Sequence, residues 1–325
     1  MSSLLETWTR PRAPSDRPLI ALGAMNFGKR TPEPEALRIL DRALERGVTL
    51  VDTANAYTDG VSESIVGKAL AGRRDKALLA TKVGVGRIGG PVEGLSRTRV
   101  LAAIDESLAR LGTDYVDIYY LHVPDHATPL EETLDAISEL LASGKIRAWA
   151  VSNYASWQIL EMLHIAERRG MPRPVMSQVL YNVLIRQLDI EYFRFTRTRA
   201  LHSTIYNPLA GGLLAGKHAR SPAPTKGSRF DKNPLYQKRY WSDRFFDLVE
   251  AYGGVAESEG MTLVELAYGW LAGTPGVDSI LVGPGSIEHL DAALDACARV
   301  VSPEGRRKID AIHKDFQGTD ASYAR

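Results

Sequence analysis

The chain has 325 residues, 40 Lys and Arg against 39 Asp and Glu, and one cysteine, Cys297. This length can bury the core of two small domains or of one large α/β barrel, and the charge balance gives no sign of a nucleic-acid partner. A lone cysteine rules out an intramolecular disulfide and fits a reducing cytoplasm. No run of about 18 apolar residues offers a membrane span, and the N-terminal MSSLLETWTRPRAP lacks the pattern of a signal peptide.

Along the chain, short apolar runs alternate with amphipathic stretches, the mark of parallel βαβ units. Strands are expected at Leu19–Leu22, Thr49–Asp52, Ala77–Thr81, Tyr115–Leu121, Arg147–Val151, Val175–Gln178, Leu201–Tyr206 and Ser279–Val282. The first helical stretch aligns Leu37, Leu40 and Leu44 on one stripe and stops at Gly47. Another should open at Pro129 behind Thr128 as N-cap. Cys297 falls on the apolar side of a late helix and reads as core packing.

Eight such repeats predict a single (β/α)8 TIM barrel over residues 1–325, with a C-terminal tail. The surplus over a minimal barrel falls in two loops, Gly84–Leu95 after the third strand and a longer one, Ala215 to Trp241, after the seventh. From Lys217 to Arg244 there are eight Lys or Arg and only two acids, Asp231 and Asp243, which suits a local anionic ligand. A doubly wound nucleotide-binding sheet is the rival fold. The first strand leads into LGAMNFG rather than G-x-G-x-x-G, which favours the barrel.

In a barrel of this kind, active sites lie at the C-terminal strand ends. Asp52, Lys82 and His122 end the second, third and fourth strands, and Tyr57 follows five residues after Asp52. Ser152 and Asn153 end the fifth, Gln178 the sixth and Tyr206 the seventh, so the unusual polar residues are expected on one rim. A tyrosine holds its proton at neutral pH, and a nearby Lys82 ammonium should lower its pKa and make Tyr57 a better general acid. Asp52 would orient Lys82, and His122 would donate a hydrogen bond or relay a proton. None of these groups carries two electrons, so carbonyl reduction requires a hydride carrier. Metal binding by His122, Asp125 and His126 lacks a second cluster to complete a site, and no metal is expected.

Ser152, Asn153 and Gln178 suit a planar carboxamide, with Tyr206 stacking on its ring. The stretch Tyr206-Asn207-Pro208-Leu209-Ala210-Gly211-Gly212-Leu213-Leu214-Ala215-Gly216-Lys217 offers glycine backbone and a lysine to a pyrophosphate. Gly283, Gly285 and Ser286 open a helix whose N-terminus favours a further phosphate.

The segments LGAMNFG, DTANAYTDGVSESIVG, ATK, DIYYLHVPD, AVSNY, SQVLYN and YNPLAGGLLAGK resemble the aldo-keto reductase superfamily, most of all its aflatoxin-aldehyde reductase branch. The resemblance implies NADPH bound without a Rossmann domain, a small-molecule carbonyl substrate, and Asp52, Tyr57, Lys82 and His122 as the catalytic tetrad. It implies carboxamide contacts from Ser152, Asn153 and Gln178, stacking by Tyr206, a pyrophosphate lined by Leu209, Gly211 and Lys217, and an adenosine end at Gly283, Gly285, Ser286, His289 and Ala293. His289 and Ala293 depart from the Gln or Arg and the Asn common there. Arg239 and the terminal Arg325 are similar in position to arginines that bind an acidic substrate group in that branch, sometimes across a homodimer. Met25, Tyr57, Trp241 and the Arg220–Tyr240 loop are expected to line the mouth. Two other readings are a keto-reductase of a sugar or secondary metabolite, and a non-catalytic binding subunit resembling potassium-channel β-subunits.

Overall fold

The computed structural model describes residues 3–13, 15–86, 91–218, 220–221, 223–319 and 321–324. Among them, eight strands close into one parallel barrel in sequence order. They are β1 (Leu19–Gly23), β2 (Leu50–Asp52), β3 (Leu78–Val83), β4 (Val116–Leu121), β5 (Ile146–Ser152), β6 (Met176–Leu180), β7 (His202–Tyr206) and β8 (Ser279–Val282). Helix α1 (Ser3–Thr9) precedes the barrel, and α2 (Glu33–Glu45), α3 (Val61–Leu70) and α4 (Arg97–Leu111) follow β1 to β3. Next come α5 (Leu130–Ala142), α6 (Ser156–Arg169) and α7 (Tyr192–Thr198). After β7 lie α8 (Pro234–Tyr240), α9 (Asp243–Ser258) and α10 (Leu263–Ala272), and β8 is followed by α11 (Ile287–Cys297) and α12 (Pro303–Gln317).

Strand alternation splits the core in two. On β4, Tyr119 and Leu121 join the large apolar layer shared with the helices, whereas Ile118 and Tyr120 join Ala80, Ala150 and Met176 in the barrel lumen. Leu5 and Trp8 of α1 complete that inner cluster, and the Trp8 indole donates to Thr49 Oγ1 at 3.0 Å. On α2 the buried face is Ala36, Ile39, Leu40 and Ala43, with Leu37 and Leu44 at its margin, so the burial stripe is rotated from the expected one. Gly47, at φ 79°, turns the chain out of that helix as expected. Cys297 is buried in the apolar core.

Two local expectations fail. Helix α5 opens at Leu130 with Pro129 as its cap residue, because the Thr128 hydroxyl donates instead to Asp125 Oδ2 at 2.7 Å. The long segment after β7 is not all loop: it contains α8, opened by Asn233, whose side chain accepts from Tyr236 N.

Buried charge is not confined to one rim either. At the opposite end of the barrel, Asp117 is held by Arg74 (2.6 Å) and by the Leu79 amide (2.9 Å). Asp278 accepts from the amides of Arg12 (2.6 Å) and Ser203 (2.7 Å). Both are satisfied by hydrogen bonds, as buried carboxylates must be, and they brace the barrel floor.

Candidate active site

The site starts from strand register. Pairing of β3 with β4 sets Lys82 beside Tyr120, and pairing of β2 with β3 sets Asp52 beside Ala80, the small residue that leaves Lys82 room to cross. The fully buried Lys82 ammonium contacts the Asp52 carboxylate and donates to the Thr53 carbonyl at 2.8 Å. It also lies over two rings, 5.2 Å from the centre of Tyr57 and 5.3 Å from that of Tyr120, within cation–π range of both. Burial pushes the Lys82 pKa down, and Asp52 opposes that shift. The second Asp52 oxygen accepts from Gln178 Nε2 at 2.9 Å.

Tyr57 opens a tight turn, Tyr57–Gly60, in which Thr58 and Asp59 adopt left-handed φ of 53° and 52°. A hydrogen bond from the Thr58 hydroxyl to the Phe27 carbonyl (3.1 Å) helps hold this strained turn. Asn55, just upstream, donates to Glu93 Oε1 at 2.9 Å and so ties this loop to the one after β3. The result points the Tyr57 ring edge-on at His122, with ring centres 5.8 Å apart and planes at 80°.

Proton affinities in the site differ from the sequence expectation. Burial pushes the Tyr57 pKa well above its ordinary value and the Asp52 charge adds to this, with Arg229 partly offsetting both. Burial, with Lys82 nearby, pushes His122 down to about 3, so its imidazole is neutral. His122 Nδ1 is buried without a hydrogen-bond partner among the described residues. A neutral imidazole donates a hydrogen bond but has no spare proton to give.

Around this centre, Ser152 is buried at the end of β5 and Asn153 follows at φ 65°. Asn153 Nδ2 donates to the His122 carbonyl (2.9 Å) and to Ser152 Oγ (3.1 Å), while the Tyr206 hydroxyl donates to Asn153 Oδ1 at 2.7 Å. The structure therefore brings Asp52, Tyr57, Lys82, His122, Ser152, Asn153, Gln178 and Tyr206 into one contiguous network on one rim. Gln178 lies within β6, two residues short of its end, which is why its amide reaches down to Asp52.

The glycine-rich segment forms tight turns. Asn207 Oδ1 accepts from the Gly211 amide at 2.7 Å, and Gly211 and Gly212 take φ of 72° and 104°. Leu209 packs at the edge of the second apolar cluster. A Cβ on Gly211 would lie 2.7 Å from Tyr236 Cδ1, so only glycine fits there. Lys217 Nζ faces His289 Nε2 at 3.3 Å, and neither forms an ion pair among the described residues. Two basic groups turned on each other form an arrangement that a phosphate completes. Gly285 lies beside the His289 ring, and Ser286 caps α11 by accepting from the His289 amide at 3.3 Å. These residues fit a dinucleotide's phosphates.

Of the expected substrate contacts, Met25 is exposed at the rim and Arg239 lies over the Tyr236 ring at 5.8 Å. Trp241 donates to the Ser221 carbonyl (3.0 Å) and packs on Phe230 and Phe246, within the aromatic cluster of the long segment. Arg325 lies outside the described residues. Asn26, not singled out from the sequence, joins Arg229 and Tyr236 of the long segment expected at the mouth. Arg229 donates to Asn26 Oδ1 at 2.8 Å and to the Tyr236 hydroxyl at 3.3 Å, and Asn26 donates to the Gly283 carbonyl at 3.3 Å. The NFG and GSRF segments carry no period that marks them. Among the described residues, no group of three or more His, Cys, Asp or Glu converges as a metal site requires, and no helix is long and apolar enough to cross a membrane.

A family model described as "Aldo/keto reductase family" matches residues 19–314. The human protein named aflatoxin B1 aldehyde reductase member 2 is 36% identical over 305 residues, covering 88% of this chain and 83% of that protein. An uncharacterized oxidoreductase of Bacillus subtilis, YrpG, is 34% identical over 320 residues, covering 94% and 95%. A probable voltage-gated potassium channel subunit beta of Oryza sativa subsp. japonica is 32% identical over 309 residues, covering 92% and 93%. These matches agree with the resemblance read from the motifs.

Proposed function

The chain belongs to the aldo/keto reductase family, and from that premise we propose that it is an NADPH-dependent reductase of aldehydes or ketones with Tyr57 as general acid. The observation that carries this reading is the buried Lys82 ammonium, in contact with the Asp52 carboxylate and 5.2 Å from the Tyr57 ring. A bound reduced nicotinamide supplies the hydride. The chain's own residues manage the proton. Tyr57, with its raised proton affinity, stays protonated at neutral pH and gives its proton to the carbonyl oxygen as negative charge builds there. Lys82 stabilises the tyrosinate as it forms, and neutral His122 donates a hydrogen bond to the same oxygen.

Ser152, Asn153 and Gln178 would hold the carboxamide and Tyr206 its ring. Asn207, Leu209, Gly211 and Lys217 would hold the pyrophosphate, and Gly283, Gly285, Ser286 and His289 the adenosine end. NADPH is favoured over NADH by Ser286 and the facing pair Lys217 and His289. Arg239, with the terminal Arg325, would receive a substrate carboxylate. Met25 and Trp241 would bound the mouth. The single cysteine supports action in the cytoplasm. A homodimer is part of the same reading, and measuring the mass in solution checks it.

The test is NADPH consumption by the purified protein with 4-nitrobenzaldehyde. Tyr57→Phe should lower kcat about a thousandfold while NADPH binding stays intact. Retained turnover in that variant would sink the role. The relative named as a channel β-subunit supports a second reading, a regulatory NADPH-binding subunit. That reading takes over if the wild-type protein binds NADPH but reduces nothing in a panel of aldehydes, ketones and keto-sugars.

A further inference from the structure

Lys82 is enclosed by more than its ion pair. Beside it lies the ring of Tyr120, its register partner on β4, with the ammonium over that ring at 5.3 Å from its centre. Tyr120 is fully buried in the barrel lumen, and its hydroxyl donates to Met176 Sδ at 2.6 Å. Gln178, two residues beyond Met176 on the same strand, holds the other side of Asp52 at 2.9 Å. Lys82 thus has one carboxylate, one carbonyl and two aromatic faces around it. An ammonium over two ring faces is attracted to both quadrupoles, so the Tyr120 ring helps to fix where it sits.

We propose that Tyr120 is a positioning residue that holds the Lys82 ammonium up against Tyr57 and so sets how readily Tyr57 releases its proton. This rests on the reading of Tyr57 as general acid. The other charged or titratable groups facing Tyr57 and Lys82 are Asp52 on β2, Glu63 on α3, His122 after β4, Tyr206 on β7, and Arg229 and Tyr236 in the long segment. None of them supplies a second π face to the ammonium.

Removing the Tyr120 ring destabilises the charged form of Lys82 and, through it, the tyrosinate. The alkaline limb of the kcat profile for reduction then moves up by about one pH unit, and kcat below the limb falls about tenfold. Tyr120→Leu and Tyr120→Met should both show this, whereas Tyr120→Phe, which keeps the ring, should keep the limb in place. A series of fluorinated phenylalanines at position 120 preserves shape while draining the ring face, and the limb should climb with each fluorine. A limb unmoved by the ringless and fluorinated variants, or moved as far by Tyr120→Phe, overturns the proposal. Tyr57→Phe, assayed alongside, separates the two ideas: if it turns over with the limb intact, the general-acid reading itself falls.

Discussion

The side-chain amide of Gln178 donates a 2.9 Å hydrogen bond to Asp52 Oδ2, across 126 residues of sequence. A residue expected to meet the cofactor is thereby joined to the carboxylate that neutralises Lys82. Asp52 has one oxygen on the ammonium and one on the amide, so its rotamer is fixed from both sides.

Asp52→Asn leaves the Lys82 charge buried without its partner. Breaking a buried pair from one side costs about 3–5 kcal/mol, so the urea midpoint should drop sharply. Lys82 should also lose its proton at neutral pH, and kcat for reduction should fall with it. A variant as stable as the wild type would show that the pair is not what holds Lys82 in the barrel.

His122 predicts a slope of stability with pH. Its folded pKa is lowered from 6.5 to about 3, so across that window the unfolded chain binds a proton that the folded chain refuses. Acidification through the window therefore costs stability. His122→Gln should lose less stability than the wild type between pH 6.5 and about 4 in urea titrations. The His122 ring should also show no NMR titration between about pH 5 and 8.

At the other end of the groove, His289 couples cofactor affinity to pH. Burial and Lys217 lower its proton affinity in the free protein, and a phosphate placed between the two would raise it again. NADPH should bind about tenfold tighter at about pH 5.5 than at about pH 8, with NADH much less affected. Fluorescence titrations of wild type and His289→Gln decide it: the variant should bind NADPH with a flat pH profile.

Gly211 and Gly216 separate backbone strain from a clash. Both have positive φ, but a Cβ at Gly211 would lie 2.7 Å from Tyr236 Cδ1, whereas one at Gly216 meets nothing within 4 Å. Gly216→Ala should cost about 1 kcal/mol from backbone strain alone, and Gly211→Ala about 2–4 kcal/mol. Because Tyr236 must move, Gly211→Ala should also raise the KM for substrate, which steady-state kinetics would read.

The barrel was legible because its signals are local. Each strand is a short apolar run, each helix has its own period, and a parallel strand's C-terminal end follows from chain direction alone. That places Asp52, Lys82, His122, Ser152 and Tyr206 on one rim without coordinates. Thr128 was misread because its hydroxyl had a competing acceptor in Asp125, a choice that turns on loop geometry rather than residue type. The contact of Arg229 with Asn26 escaped notice because the two meet from loops more than 200 positions apart, and neither loop has a period.

By itself, the sequence determined the fold class, the rim and the four residues of the expected tetrad, since alternation and strand direction are properties of neighbouring residues. Only the tertiary structure decided their proton affinities. Closing the barrel removed water from Tyr57, Lys82 and His122 together, raising the first and lowering the other two, and it set Lys82 against Asp52 with the Tyr57 ring 5.2 Å away. Desolvation and pairing depend on what surrounds a side chain in space, and residue order does not contain that.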